Sequence, residues 1–223
     1  MQYLYHSEAG ALQLQLSGDS HRYLFKVRRE REGETIYLRN LDDQKLYSYY
    51  IEHIDKKIAL LRKSDEIELR IEAKQKFHIG WCIIDPKSIE KVLPTLNETG
   101  VWKITFIYCQ RSQKSFHIAF DRLEKILLNS SQQCGRSTMM VLGEAENMAA
   151  FLQENPESWM LNFSENLLDS KTKQIETLLI GAEGGFSDEE RALMDAEKVL
   201  GLDTLLVLKS ESAACVAAGK LLL

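Results

Sequence analysis

The strongest constraint on the fold is a change of rhythm near residue 74. Beyond it, apolar runs of strand length alternate with helical stretches. FHIGWCIID is followed by PKSIEKVLPTLNETG, in which Pro86 suits a first helical turn and Gly100 a stop. WKITFIYC repeats the strand signature. FHIAFDRLEKILLNSSQQCG then reads as one amphipathic helix, with Phe116, Ile118, Phe120, Leu123, Ile126 and Leu127 on its apolar face and Gly135 at its end. Strands are predicted at STMMVL, SWMLNF and ETLLIGA, with a helix at ENMAAFLQEN. The chain closes with a buried strand in TLLVL, a polar Lys209-Ser210-Glu211-Ser212 crossing, and a helix rich in alanine. Such alternation buries both faces of a parallel sheet, so the expected class for residues 74–223 is α/β.

Residues 1–73 follow a period of two instead. TIYLRNL, KLYSYYIEHI, KKIALLRK and EIELRIEA alternate polar and apolar positions, with turns expected at Asp42-Asp43 and at Lys63-Ser64-Asp65-Glu66. With YLY and LQLQL added, six strands are predicted, forming an antiparallel sheet closed into a small barrel. The charged stretch EAKQK marks the boundary between two domains in series.

No stretch approaches the ~20 apolar residues that span a bilayer, and MQYLYHSEAG lacks the basic and apolar regions of a secretory leader, so the cytoplasm is expected. Cys82, Cys109, Cys134 and Cys215 lie 27, 25 and 81 positions apart, without the close spacing of a zinc knuckle or a redox dithiol. They are expected to be reduced and mostly buried, and with five scattered histidines no metal site is indicated. The net charge of −5 disfavours nucleic acid, because phosphate affinity draws on lysine and arginine. Its distribution matters more: RYLFKVRRER sets Arg22, Lys26, Arg28, Arg29 and Arg31 against Glu30 alone. That segment is either a basic RNA-contacting surface or an ordinary solvated helix face. On charge, Arg22, Arg28 and Arg29 are the first candidates for RNA contact, and Arg111 the next.

The most informative segment is ETLLIGAEGGFSDEERALMDAEK. A buried strand through Leu178, Leu179 and Ile180 runs into Gly181 and Gly184-Gly185, after which Ser187 and Glu190 have the spacing of a capping box. Glycines there let a ligand approach backbone donors at the carboxyl end of a strand, although glycines also serve any tight strand-to-helix connection. The turn lacks the Lys-Ser/Thr of a phosphate loop, and Glu183 within it would repel a pyrophosphate. An acidic residue suits a cationic, hydroxyl-bearing ligand, such as a sulfonium cofactor with a ribose.

Together these segments resemble the SPOUT superfamily, and within it the bacterial 16S ribosomal RNA methyltransferases that make 3-methyluridine. LLIGAEGGFSDEE is similar to that family's LIGPEGGFS/xEE, VLKSESAA to its ILRTETAA, SSQQCGRS to its EQCGR, and HRYLFKVRREREGE more weakly to its H-x-x-x-V-L-R-x-x-x-G-D element. The resemblance covers the whole chain. It implies a PUA-like β-barrel that binds RNA over residues 1–73, and a SPOUT-type knotted parallel sheet with helices on both faces over residues 74–223, whose final helix passes through a loop. It also implies S-adenosylmethionine as cofactor, 16S rRNA or the small ribosomal subunit as partner, and a homodimer with each cofactor site near the subunit interface. By the same resemblance, Leu179, Ile180, Gly181, Glu183, Gly184, Gly185, Val207, Leu208 and Ser212 hold the cofactor, while Arg136, Lys209 and Glu211 face the target base.

The chemistry gives those residue types a reason. Methyl transfer to uridine N3 requires alignment of nitrogen with the sulfonium methyl and exclusion of water. Loss of the N3 proton leaves negative charge that Lys209 or Arg136 would stabilise, and Glu211 is either the base or a structural partner. The chain departs from the family pattern at Ala182 (proline in the family), at Lys209 (arginine), at Thr95 (lysine), at Gln110-Arg111-Ser112 (ERS), and in LGLDTLL, which replaces LGPR. Two other readings stay open: a ribose 2′-O-methyltransferase sharing the cofactor site, and a non-catalytic RNA-binding factor whose divergent 200–206 loop has lost the cofactor.

Overall fold

A computed structural model of the chain describes residues 2–168 and 175–223. It divides into two units: residues 1–72 with 128–139, and residues 73–127 with 140–223.

In the first unit the period-two segments become five strands, β1 (Leu4–Tyr5), β2 (Gln13–Ser17), β3 (Thr35–Arg39), β4 (Lys45–Ile54) and β5 (Ile58–Glu68), in the order β1-β3-β4-β5-β2. The sheet is a curled half-barrel with β1 and β2 at its edges, rather than a closed barrel. Its pairs are antiparallel except β1–β3, which is parallel. Leu14, Leu16, Ile36, Leu38, Tyr49, Ile51 and Leu61 make its core with Leu24. The turn expected at Lys63–Glu66 does not form. Tyr49 pairs with Lys63 and Ser48 with Asp65, so Ser64 bulges out and two expected strands merge into β5. Exposed Glu66 then accepts the ammonium groups of both Lys45 and Lys63. The basic segment is helical: α1 (Gly18–Arg22) continues into a π-helical turn at Tyr23–Val27. Buried Leu24 faces the core, and Arg22, Lys26, Arg28 and Arg29 are exposed.

The second unit is a six-stranded sheet in which every pairing is parallel, in the order β11-β9-β10-β6-β7-β8. Its strands are β6 (His78–Cys82), β7 (Lys103–Ile107), β8 (Val141–Ala145), β9 (Trp159–Leu161), β10 (Thr177–Ile180) and β11 (Val199–Leu200). The helices are α2 (Pro86–Thr99), α3 (Phe120–Cys134), whose second half belongs to the first unit, α4 (Met148–Glu154), α5 (Asp188–Arg191) and α6 (Ser210–Leu222). The side chain of Asp85 caps α2 ahead of Pro86, and Gly100 stops it as expected. Chain order runs outward from β6 through β7 to β8, whereas β9 and β10 lie on its other side. The reversal between β6 and β10 is the kind of switch point where open α/β sheets bind ligands.

Four further expectations are corrected. Residues 116–119 are irregular and α3 starts at Phe120. Phe116, Ile118 and Phe120 are spaced by two, which suits extended chain as well as helix. The strand expected at STMMVL lies further on, at β8, because buried Ser137 is held within the first unit by Ile71 and Gln44. TLLVL is not a strand: Leu205 is 103% exposed, Leu206 75% and Val207 78%, and the last strand is β11 instead. Finally, Cys82 and Cys109 are both buried but joined in a disulfide, with Cα atoms 5.5 Å apart. Parallel pairing of Cys82 with Ile107 brings the two together across 27 residues, a proximity that linear spacing does not reveal. Cys134 and Cys215 are half-buried and are not joined in a disulfide among the described residues.

Candidate functional site

Fully buried Leu178, Leu179 and Ile180 deliver the chain to the edge of the sheet, where the glycine turn begins. Ser187 accepts the Glu190 N–H through Oγ at 3.1 Å, and the Glu190 carboxylate accepts the Ser187 N–H at 2.9 Å, completing the predicted capping box. The second Glu190 oxygen accepts the Gln110 N–H at 2.8 Å. A buried carboxylate is thereby satisfied, and the turn is tied to the segment after β7. On the same side, Arg111 Nη1 donates to the Gly184 carbonyl at 2.5 Å. A third tie comes from the start of α6: Ser210 Oγ donates to the Gly181 carbonyl at 2.5 Å and accepts the Trp81 indole N–H at 2.8 Å.

The glycines serve different ends. A Cβ on Gly181 would lie 3.1 Å from the Gly185 Cα and 3.3 Å from the Phe186 ring, so the turn closes tightly only without one. Gly185 sits at φ +69°, and a Cβ on it would meet nothing within 4 Å. Its N–H closes the turn on the Ala182 carbonyl at 2.9 Å. Gly185 is therefore not the bare donor that the sequence suggested, and its contribution is left-handed backbone beside open space.

That space is a cavity of about 490 Å³ at the carboxyl ends of β9, β10 and β11, within the range of small-molecule sites. Of the nine residues proposed for the cofactor, Ile180, Gly181, Glu183, Gly184, Gly185, Val207 and Leu208 line it. Leu179 is buried behind the wall, and Ser212 lies within the first turn of α6 without lining the cavity. Asn162, Phe163 and Ser164, with Arg111, Arg191, Thr204, Ser210 and Ala213, also line the cavity. Of these the sequence had singled out Arg111, as an RNA contact, and Ser210, as part of the polar crossing. Asn162, Phe163 and Ser164 are brought there by β9 pairing beside β10 and have no local signature. Phe163 is 81% exposed and forms an apolar rim with Leu206 and Val207.

Lys209 is exposed and Glu211 is half-buried on α6, and neither lines the cavity; burial, with a smaller contribution from Glu211, raises the Cys215 thiol pKa. Arg136 belongs to the first unit and is 4% exposed there, with burial lowering its pKa. Exposed Arg28 pairs with Glu30 at 3.3 Å, and Arg29 adopts φ +61°. Among the described residues, no group of three His, Cys, Asp or Glu is placed to hold a metal, and no helix is long and apolar enough to cross a membrane.

The chain matches the RNA methyltransferase domain family over residues 71–222, and the RNA methyltransferase PUA domain over residues 16–64. It belongs to the RNA methyltransferase family. This methyltransferase is 37% identical over 219 residues to the "Ribosomal RNA small subunit methyltransferase E" of Helicobacter pylori strain J99, covering 97% of this chain and 96% of that one. Its structure is similar to a Legionella pneumophila putative methyltransferase solved with bound SAM, at TM-score 0.80 and 27% identity over 99% of this chain and 95% of that one. The Neisseria gonorrhoeae small subunit methyltransferase E shares its fold at TM-score 0.79 and 17% identity, over 98% and 95% of the two chains.

Proposed function

We propose that this methyltransferase transfers a methyl group from S-adenosylmethionine to N3 of a uridine in 16S rRNA of the small ribosomal subunit. The observation that carries the reading is the cavity built on the glycine turn, where seven of the nine expected cofactor residues converge. The fit is physical as well: the cavity has the volume of a small-molecule site, its glycines admit a ligand close to the main chain, and Glu183 on its wall suits a cationic, hydroxyl-bearing molecule. The Helicobacter relative's name and the SAM-bound Legionella structure support the substrate and cofactor classes.

The sulfonium supplies an activated methyl when bound. The chain's own residues bind, orient and exclude water. Ile180, Val207 and Leu208 give apolar walls that limit hydration, and the turn's tethers fix the main chain around the reacting centre. Lys209 remains the proposed cation for the developing N3 anion, brought to the base on RNA binding from its exposed place beside Leu208 and Ser210. Arg136 and Glu211 complete the proposed base-facing set. Residues 1–73 are proposed to grip RNA through Arg22, Arg28 and Arg29, whose exposed guanidinium groups suit phosphate. Arg111 keeps a proposed RNA role alongside its bond to Gly184.

A homodimer in the cytoplasm is part of the same proposal. The exposed apolar side chains of Leu205, Leu206 and Val207 favour a surface covered by a second copy. A knotted path for α6 is favoured by Gly201 running against Ser164 and by the Lys220 ammonium bonding the Leu168 carbonyl. Calorimetry with S-adenosylmethionine, followed by nucleoside mass spectrometry of 16S rRNA from cells with and without the gene, tests the function. Methyl on the uracil ring is expected. Methyl on ribose would favour the 2′-O reading, and no cofactor binding would leave only an RNA-binding factor.

A further inference from the structure

Two walls face each other across the cavity, and they are secured in different ways. The glycine turn continues from a buried central strand and is tethered by Glu190 and Arg111. Residues 202–209 opposite it form no strand, and their hydrogen bonds are local, such as Thr204 N–H to the Leu202 carbonyl and Leu206 N–H to Thr204 Oγ1. Leu205, Leu206 and Val207 are exposed, so packing does not fix this wall either. It is anchored where it ends, at Ser210, which is 5% exposed.

Helix capping does not explain this serine. The cap position of α6 is Lys209, without a side-chain cap bond, and the Ser210 proton leaves the helix for the Gly181 carbonyl. Its direction is set from behind. Trp81 is fully buried, and its indole N–H must find an acceptor, which is Ser210 Oγ. With that lone pair occupied, the hydroxyl is oriented towards Gly181, and the two bonds polarise one another.

We infer that Ser210 is a positioning residue, with Trp81 behind it: the Trp81–Ser210–Gly181 relay sets the spacing between the glycine turn and the 206–208 wall, and through it the affinity for the cofactor. The inference rests on the proposed S-adenosylmethionine site. It also explains why the crossing is polar at Ser210, where a strand passing straight into a buried helix would call for an apolar residue.

The test is calorimetry of S-adenosylmethionine with wild type, Ser210→Ala, Ser210→Thr and Trp81→Phe. Thermal melting without cofactor and binding of 16S rRNA by the same proteins accompany it. Ser210→Ala loses both relay hydrogen bonds, which predicts a roughly ten-fold or greater weakening of Kd. Ser210→Thr, which keeps the hydroxyl, is expected within about three-fold of wild type, with Trp81→Phe in between, while rRNA affinity stays constant across the set. A folded Ser210→Ala that binds within two-fold of wild type, or a folded Ser210→Thr that fails to restore binding, overturns the inference. If Ser210→Ala does not fold, Trp81→Phe decides: an unchanged Kd refutes the relay and a weakened one supports it. Wild type that takes up no S-adenosylmethionine refutes the cofactor reading itself, a result distinct from wild-type affinity retained in Ser210→Ala.

Discussion

Gly181 and Gly185 should separate binding from stability, because the structure asks different things of them. Gly185 occupies φ +69° beside open space, so Gly185→Ala meets no atom but must hold a left-handed backbone. That conformation costs about 1–2 kcal/mol for a residue with a Cβ, or a fall in Tm of roughly 2–8 °C for a chain of this size. Gly181 needs no positive φ, so alanine there would limit the unfolded chain and contribute about 0.4–1 kcal/mol of stability. Its Cβ, however, would stand 3.1 Å from the Gly185 Cα and 3.3 Å from that residue's carbonyl carbon, and both are main chain. The turn must open by a few tenths of an ångström, which the Ser210 and Arg111 tethers resist. Gly181→Ala is therefore expected to melt within about 3 °C of wild type while binding S-adenosylmethionine at least ten-fold more weakly. Thermal melting without cofactor and calorimetry with it measure the two quantities. A folded Gly181→Ala that keeps wild-type affinity would refute the idea that the closed turn shapes the site.

Other outcomes follow from named contacts. A Cβ on Gly201 would fall 2.0 Å from the Ser164 carbonyl oxygen, so Gly201→Ala should give little folded protein in a soluble-expression assay, and normal yield would contradict the close approach. Glu190→Ala removes the acceptor for both Ser187 and Gln110, and urea titration should record a loss of about 1–3 kcal/mol. Burial, with a smaller contribution from Lys103, lowers the His78 pKa to about 4. The native state therefore disfavours the proton that the unfolded chain accepts near pH 6.5; this stability is present above that pH and is lost as pH falls towards 4. About 2 kcal/mol should disappear between pH 7.5 and pH 5. The loss should shrink in His78→Gln, and an unchanged slope in urea titrations at the two pH values would show that His78 is not responsible.

What the sequence could disclose was whatever is encoded within a few residues. Pro86 and Gly100 bracket α2 because the first lacks an N–H and the second accepts a left-handed cap, both local properties. Ser187 and Glu190 meet within one helical turn, so their capping box was readable, and the glycines beside it marked the site. Apolar runs misled wherever their partner was not a sheet. Leu205, Leu206 and Val207 look like a buried strand, yet all three are exposed and the last two rim a cavity. Ser64 seemed to end a strand because its polar neighbours imitate a turn, when a bulge accommodates them. The Trp81–Ser210 bond joins residues 129 apart and the Gln110–Glu190 bond residues 80 apart, and the Cys82–Cys109 link depends on strand order. No window on a single chain contains such relationships.

The strand order also governs how the molecule can be made. β6 pairs with β7 on one flank, but its other flank waits for β10, which begins at Thr177, 95 positions after Cys82. At elongation rates of about 5–20 residues per second, that flank stays bare on the ribosome for roughly 5–20 s. During that interval a nascent chain carries an unpaired edge that is apolar except at His78, open to mispairing until β10 arrives.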